Sequence, residues 1–405
     1  MIQSKSKNWH VALFAMLLCF YYLFPKILSV SLELIFFSYL FFDRRKSRAY
    51  NSGNRSLPLL WYLFFAFSLV VTNIPSIDEK TIYYLSTCIN CFIFVYIGYL
   101  VIKEKKDVED FFKYFSLFGF GFCLFLLPSL TQTILTAGGR LGSVVNEGDN
   151  EFLSDSITLG YLLLLINTCQ FYGLFSTTSK IQRLFVFFFF LFSFVCILLT
   201  GTRKALLACI ICWGIYLYFR NKNKKIKLLF YSVIGVLLLF FLYQVLLEVE
   251  FLYNSIGMRL EGLLGYFNSD YYEIDASTEV RDELIKHGKQ IFLDNIIFGA
   301  GIGETQRILK ASHPHNNYLS CLDFGGIIAF VAYYWFYIRI FLNYLHIKKF
   351  CKIDIVLIGL MTSLLLTDYA ATTYNIIFFP TFIVIIYLNS LYKVSLANDK
   401  QYAIK

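Results

Sequence analysis

The chain is a succession of long apolar runs separated by short polar stretches. Runs such as 185–199 and 226–247 are unbroken and show no alternation of polar and apolar positions. A membrane-spanning barrel would instead show alternating segments of about 10 residues. Crossing a bilayer as a helix takes about 20 apolar residues at a rise near 1.5 Å each. On that measure the pattern predicts helices at 9–25, 26–42, 58–73, 81–102, 112–134, 154–175, 182–200, 203–219, 226–247, 316–343, 352–368 and 373–393. The expected fold class is therefore all-α, a polytopic membrane helix bundle of about twelve transmembrane helices. The first run follows Lys5 and Lys7 and has no small-x-small cleavage site after it. It reads as an uncleaved first span.

Composition agrees with lipid as the solvent. Of 405 residues, 58% are hydrophobic and 16% charged, against about 45–50% and about 25% in soluble domains. Such a chain lacks the polar surface to cover itself in water. The net charge of +9 would suggest a nucleic-acid partner in a soluble protein. Here it has a simpler cause, because Lys and Arg collect in cytoplasmic loops, and no nucleic-acid role is expected. The ten cysteines lie mostly within apolar runs, where they read as small buried hydrophobes rather than disulfides or metal ligands.

Loop charges set the orientation. Arg44, Arg45, Lys46, Arg48 and Arg55 share one side with Lys103, Lys105, Lys106, Lys180 and Arg183. Arg220, Lys222, Lys224, Lys225, Lys227, Lys348, Lys349 and Lys352 fall there too. By the positive-inside rule that side, with both termini, is cytoplasmic. The opposite loops 72–81, 137–154 and 248–312 carry more carboxylates than amines. The last is far longer than an ordinary connection and reads as functional or as a small domain. Within it, 280–293 has helical periodicity, and the glycines of Phe298-Gly-Ala-Gly-Ile-Gly303 mark a tight turn. One membrane domain is expected: membrane helices in 1–247, an extracytoplasmic loop in 248–315, and membrane helices with a short cytoplasmic tail in 316–405.

Ionisable residues at membrane level are pointers to function, and here they gather at predicted outer helix ends. Arg203 follows Thr200-Gly-Thr, Arg140 lies in Gly-Gly-Arg-Leu-Gly, and Arg259 and Arg281 lie in the long outer segment. His313-Pro-His-Asn-Asn-Tyr-Leu319 opens the tenth predicted span, with Asp323 and Gly325-Gly326 about two turns deeper. Each has a plain alternative. Arg203 can anchor at lipid headgroups, the other arginines can be ordinary loop charges, and His313 and His315 can belong to a helix cap with Asn316 as N-cap. Asp323 can cap or pair inside the bundle. No third ligand stands beside the histidines, so no metal is expected. Taken together, guanidinium groups suit bidentate phosphate binding and histidine suits general-base work. A transporter would place broken helices and charges at the midplane, and the sequence shows little of either.

At these positions the chain resembles the O-antigen polymerase and O-antigen ligase superfamily, including Wzy-like polysaccharide polymerases. Thr200-Gly-Thr-Arg-Lys-Ala-Leu-Leu207 is similar to the family's T-G-S-R-x-A-L-L element, with Thr202 in place of serine. His313-Pro-His-Asn-Asn-Tyr-Leu with Asp323-Phe-Gly-Gly is similar to H-x-H-N-x-Y-L followed by an acidic residue and glycine. Arg281 and Asn295-Ile-Ile-Phe-Gly-Ala-Gly-Ile-Gly303 match a third element, with Ile296 where proline is common. Arg140-Leu-Gly resembles an R-L-x-G element. The motifs cover roughly 138–330; the first 130 residues match only as hydrophobic spans.

The resemblance implies a GT-C-like membrane glycosyltransferase of the bacterial inner membrane, with an extracytoplasmic active site and no cofactor. Its donor would be a glycan on undecaprenyl diphosphate. Arg203, Arg281 and Arg140, with Arg259, would hold the diphosphate. The resemblance puts the base in the histidine pair, His315 ahead of His313, with Asn316 and Asp323 supporting. Glu147, Asp149 and Glu151 are alternative bases. A polymerase would extend the chain on a new lipid-linked unit; a ligase would move it to lipid A–core. Partners implied are lipid-linked glycans, membrane lipids, a flippase and a chain-length regulator. The rivals are a polysaccharide transporter or flippase, which leaves the outer Arg/His set unexplained, and a ligase acting on a protein.

Overall fold

A computed structural model describes residues 8–24, 26–43, 56–73, 79–135, 140–142, 155–267, 276–309, 314–347, 349–369 and 371–402. Among them every regular element is helical and there is no strand. The helices are α1 (Trp9–Phe20), α2 (Lys26–Asp43), α3 (Leu57–Asn73), α4 (Glu79–Val101), α5 (Lys105–Phe125), α6 (Leu127–Leu135), α7 (Ser156–Ser176) and α8 (Lys180–Leu199). They continue as α9 (Arg203–Asn221), α10 (Lys225–Glu248), α11 (Met258–Phe267), α12 (Ala276–Asp294), α13 (Ile302–Leu309), α14 (Asn317–Leu345), α15 (Lys352–Asp368) and α16 (Phe378–Tyr402).

Helix occupies each predicted apolar run, but the expected count of about twelve spans is not reached by length and composition. Among the described residues, five helices are long and apolar enough to cross a membrane: α4, α7, α8, α10 and α14. A sixth is gained if α5 and α6, bent by 47° at their junction, form one span. The apolar parts of α1, α3 and α16 are shorter. The run 9–25 stops being α-helical at Phe20, where a 3₁₀ turn Tyr21–Leu23 follows. Arg203, Lys204 and Arg220 dilute α9, and α15 has only 17 residues. The protein is a multi-pass membrane protein.

The chain divides into two compact units. One comprises Met1–Phe118, Ile285–Phe350 and Ala371–Lys405. In it α14 packs on α3, and α16 on α4 and α14. Lipid offers helices no hydrophobic drive to associate, so close packing and polar ties between helices do that work. Trp61 stacks on Phe336 at 4.4 Å and its indole N–H donates to the Tyr333 carbonyl at 2.9 Å. The Tyr62 hydroxyl donates to the Tyr374 carbonyl at 2.7 Å.

The same unit contains a broken helix that the sequence pattern did not lead us to expect. α14 is interrupted at Gly326, where φ is 63° and ψ −162°. The glycine turn after α12 fills the break. Ala300 N–H donates to the Asp323 carbonyl at 2.8 Å, and Ile327 N–H to the Ile296 carbonyl at 2.9 Å. Backbone groups freed inside a membrane helix need such partners. A Cβ on Gly326 would meet the Ile297 carbonyl, so glycine is required both for its dihedral and for the approach.

The second unit comprises Gly119–Leu284 and Cys351–Ala370. α9 packs on α15 through small residues: Ser363 Oγ donates to the Ala208 carbonyl at 2.8 Å, and Gly359 lies against Cys212. α7 and α8 are tied by Asn167 to Ser193 at 2.9 Å and Ser193 to Gln170 at 2.6 Å. α10 is different, since no residue of its most apolar stretch is buried. Its length and composition suit a membrane span, and it leads to the segment expected to be extracytoplasmic. That segment is largely helical, with α12 covering the predicted periodicity at 280–293.

Candidate functional site

The arginine-bearing cluster of the second unit is built around the turn Thr200–Thr202, which joins α8 to α9. Thr200 N–H bonds back to the Cys196 and Ile197 carbonyls and Gly201 N–H to Leu198. Gly201 then turns left-handed at φ +64°, and a Cβ there would meet the Ser255 carbonyl oxygen. Glycine is needed on both counts. Thr202 is the N-cap of α9, yet its side chain does not cap the helix. Its hydroxyl donates to the Ser156 carbonyl at 3.0 Å, tying the turn to the start of α7. Asp155 caps α7, accepting from the amides of Ile157 at 3.0 Å and Thr158 at 3.3 Å.

Cations converge on this turn. Arg203 donates from its guanidinium to the Arg259 carbonyl at 2.6 Å. Arg140 also lies against the turn: its neighbour Leu141 donates to the Leu199 carbonyl at 2.8 Å, and its guanidinium is 3.5 Å from Ser156 Oγ. Its Cδ would be 3.2 Å from a Cβ at Gly201. Arg281, in α12, and Lys204, in the first turn of α9, are within electrostatic reach of each other, and Lys204 also feels Arg203. Arg281 further reaches the Tyr161 hydroxyl, which feels Asp155 and Asp368 as well. Arg203, Lys204, Arg140, Arg259 and Arg281 are all half-buried. Two cations in the first turn of α9 oppose the positive end of the helix dipole. The arrangement is suited to an anion.

The structure thus brings four predicted residues, Arg140, Arg203, Arg259 and Arg281, into one unit. Arg259 contributes at least its carbonyl, which holds Arg203. Two features were not singled out from sequence. Lys204 had a legible signal, a cation at an early helix position. The π-helical turn Tyr253–Gly257, which presents the Ser255 carbonyl to Gly201, had none.

The histidine motif lies in the other unit, at the start of α14. Asn316 is the N-cap, its side chain accepting from Leu319 N–H at 3.0 Å. His315 precedes it at φ 53°, a left-handed conformation that no other non-glycine residue adopts among the described residues. Such dihedrals in bulky residues persist where the surroundings impose them and concentrate at functional sites. Asn317, fully buried, makes three bonds. Its amide donates to the Tyr334 hydroxyl at 2.8 Å, and its oxygen accepts from Thr373 N–H at 2.8 Å and Tyr374 N–H at 3.1 Å. Asp323 is also fully buried. Among the described residues neither of its carboxylate oxygens has a hydrogen-bond partner. His313 and the alternative bases Glu147, Asp149 and Glu151 lie outside the described residues. No group of three metal-ligating side chains occurs among the described residues.

The family model described as O-antigen ligase matches residues 188–334, a span holding the Thr200–Arg203 turn, Arg259, Arg281, the glycine turn and the His315–Asp323 segment. No curated protein matches the chain. The match over residues 188–334 supports placing the chain in the O-antigen polymerase and ligase superfamily.

Proposed function

We propose that the protein is a membrane glycosyltransferase of the GT-C-like class that polymerises undecaprenyl-diphosphate-linked repeat units into O-antigen or capsular polysaccharide at the outer leaflet of the bacterial inner membrane. The observation that carries this reading is the cationic cluster around the Thr200–Arg203 turn, within a segment that matches the family. Arg203 and Arg281, with Arg140, hold the donor diphosphate and stabilise the charge that develops as it leaves. Arg259 fixes the aim of Arg203 through its carbonyl. The acceptor oxygen forms a bond to the anomeric carbon while the bond to the diphosphate oxygen breaks, its electron pair staying with the diphosphate. The base is assigned to His315 from the sequence resemblance alone. One displacement inverts the anomeric carbon, and no metal takes part in the scheme.

The matched family, described as O-antigen ligase, favours a second reading, transfer of the finished glycan to lipid A–core. Deletion in the native strain separates the two. Core plus a single repeat unit on a glycan gel means polymerase. Glycan missing from lipid A–core, with polymer retained on undecaprenyl diphosphate, means ligase. Complementation by Arg203→Ala and His315→Ala then tests the site. Full restoration by Arg203→Ala would sink the diphosphate clamp and return the transporter reading.

A further inference from the structure

We propose that the glycine turn after α12 is a bilayer anchor: Ile296, Ile297 and Phe298 insert among lipid acyl chains at the outer edge of the membrane. The inference goes beyond the transferase reading and does not rest on it. The loop pattern places all of 248–315 outside the membrane, where three consecutive large apolar residues would normally be covered. Yet Ile296 is 48% exposed, Ile297 57% and Phe298 58%. The exposed surface changes character along α12. Its exposed residues from Lys286 to Gln290 are Lys286, His287, Lys289 and Gln290, all polar. Leu293, 59% exposed, then begins an apolar surface that the turn continues. Asp294 and Asn295 lie between, and both bond back to the helix: Asp294 accepts from the Gln290 side chain at 2.9 Å, and the Asn295 side chain donates to the Ile291 carbonyl at 3.2 Å.

Packing against α3 fixes the depth of the turn. The Thr72 hydroxyl donates to the Phe324 carbonyl at 3.2 Å, and a Cβ on Gly325 would stand 3.3 Å from Leu69 Cδ2. The turn abuts the same place. Ile327 N–H donates to the Ile296 carbonyl at 2.9 Å, and a Cβ on Gly299 would meet the amides of Gly325 and Gly326. Ile296–Phe298 are therefore level with Leu69–Thr72, within about one turn of the end of α3 at Asn73. At that level α3 still exposes Val70 and Val71, which end an apolar stripe begun by Leu60, Leu63, Phe64 and Phe67. On α14 the exposed Ile327 and Val331 follow directly. The turn thus extends the apolar belt of two predicted spans. Its backbone suits the interface rather than the hydrocarbon centre. Gly299 N–H closes on the Asn295 carbonyl at 2.9 Å, whereas the amides of Ile296, Ile297 and Phe298 make no hydrogen bond among the described residues. Such amides are costly deep in lipid and find water and headgroup oxygens at its edge, while the side chains reach the acyl chains.

Spin-label depth measurements test this in the full-length protein, reconstituted in nanodiscs of phosphatidylethanolamine and phosphatidylglycerol. Labels go on Ile297→Cys, on Val71→Cys as the reference inside the membrane, and on Lys289→Cys as the reference in water. The unsubstituted protein, treated alike, gives the signal of the native cysteines. The ratio of accessibility to oxygen over a water-soluble nickel complex at Ile297 should fall within about twofold of Val71 and at least about fivefold above Lys289. A ratio equal to that at Lys289 would place the turn in water and overturn the anchor. A label shielded from both reagents would overturn it as well, because a second copy or another protein then covers the turn. Oxygen access lost only when undecaprenyl diphosphate is added would assign the turn to that lipid's polyprenyl tail, and would equally overturn insertion into bulk lipid. Should Ile297→Cys fail to fold, photolabelling of the wild type decides. Irradiation with an aryl diazirine that partitions into the bilayer should leave carbene adducts on Ile296–Phe298. Adducts on Val70 and Val71 with none on the turn would overturn the proposal.

Discussion

Substituting Gly201 by alanine tests the geometry of the Thr200–Arg203 turn directly. Two terms act. The residue sits at φ +64°, and the left-handed region costs an L-residue about 1–2 kcal/mol. The new methyl would also meet the Ser255 carbonyl and stand 3.2 Å from Arg140 Cδ. Forcing an extra methyl into a packed place costs typically about 1–3 kcal/mol. The sum is about 2–5 kcal/mol, and backbone has to move because Ser255 offers no flexible side chain at that contact. The displaced segment leads into α11, whose Arg259 carbonyl receives Arg203, so the clamp loosens as the fold weakens. Thermal unfolding in detergent and glycan transfer are measured together. Gly201→Asn serves as comparison, because asparagine tolerates the left-handed region but still carries a Cβ. The expected order of stability is wild type, then Asn, then Ala, with Asn recovering only the dihedral part. An alanine variant with wild-type melting and wild-type transfer would refute the close approach of Gly201 to Ser255.

Further outcomes follow from individual residues. His315→Gly should melt at or slightly above wild type, since the left-handed conformation is relieved, while transfer falls at least about a hundredfold; near-normal turnover would end its assignment as base. Asn317→Leu strands the buried amides of Thr373 and Tyr374 at about 1–3 kcal/mol each, so hydrogen exchange of the 371–377 segment should accelerate at least about tenfold. Unchanged protection there would mean that the amides find another acceptor. Asp323→Leu removes a buried carboxylate that has no hydrogen-bond partner among the described residues and should leave or raise the melting temperature; a clear fall would reveal a partner. Glu304, half-buried on α13, is held below the ordinary carboxylate range by hydrogen bonding from Arg307. Any stability this contributes is present above the ordinary carboxylate range and is lost as pH falls through the lowered value. Because both side chains are solvated, Arg307→Ala should not shift the melting curve.

The apolar runs determined by themselves that the chain is helical and membrane-embedded, because lipid leaves a backbone few ways to satisfy its polar groups. They also located the helices closely, since the limits of an apolar run are local. The candidate chemistry was legible for a related reason: an arginine after a Thr-Gly-Thr turn or a His-Pro-His before a helix is visible against an apolar background. What the runs did not determine is how many helices qualify as spans, because α5 and α6 read as one run and bend between them, and α9 dilutes its apolar face with three cations. Tertiary structure alone decided the break in α14, where Gly326 exchanges helical hydrogen bonds for those of a turn about 30 residues earlier in the chain. It alone placed Arg281 with Lys204, paired Arg203 with a carbonyl 56 residues on, and left Asp323 without a hydrogen-bond partner among the described residues. The physical reason is the same throughout: hydropathy and capping act between near neighbours in sequence, whereas charge clusters and backbone approaches depend on which distant segments packing brings together.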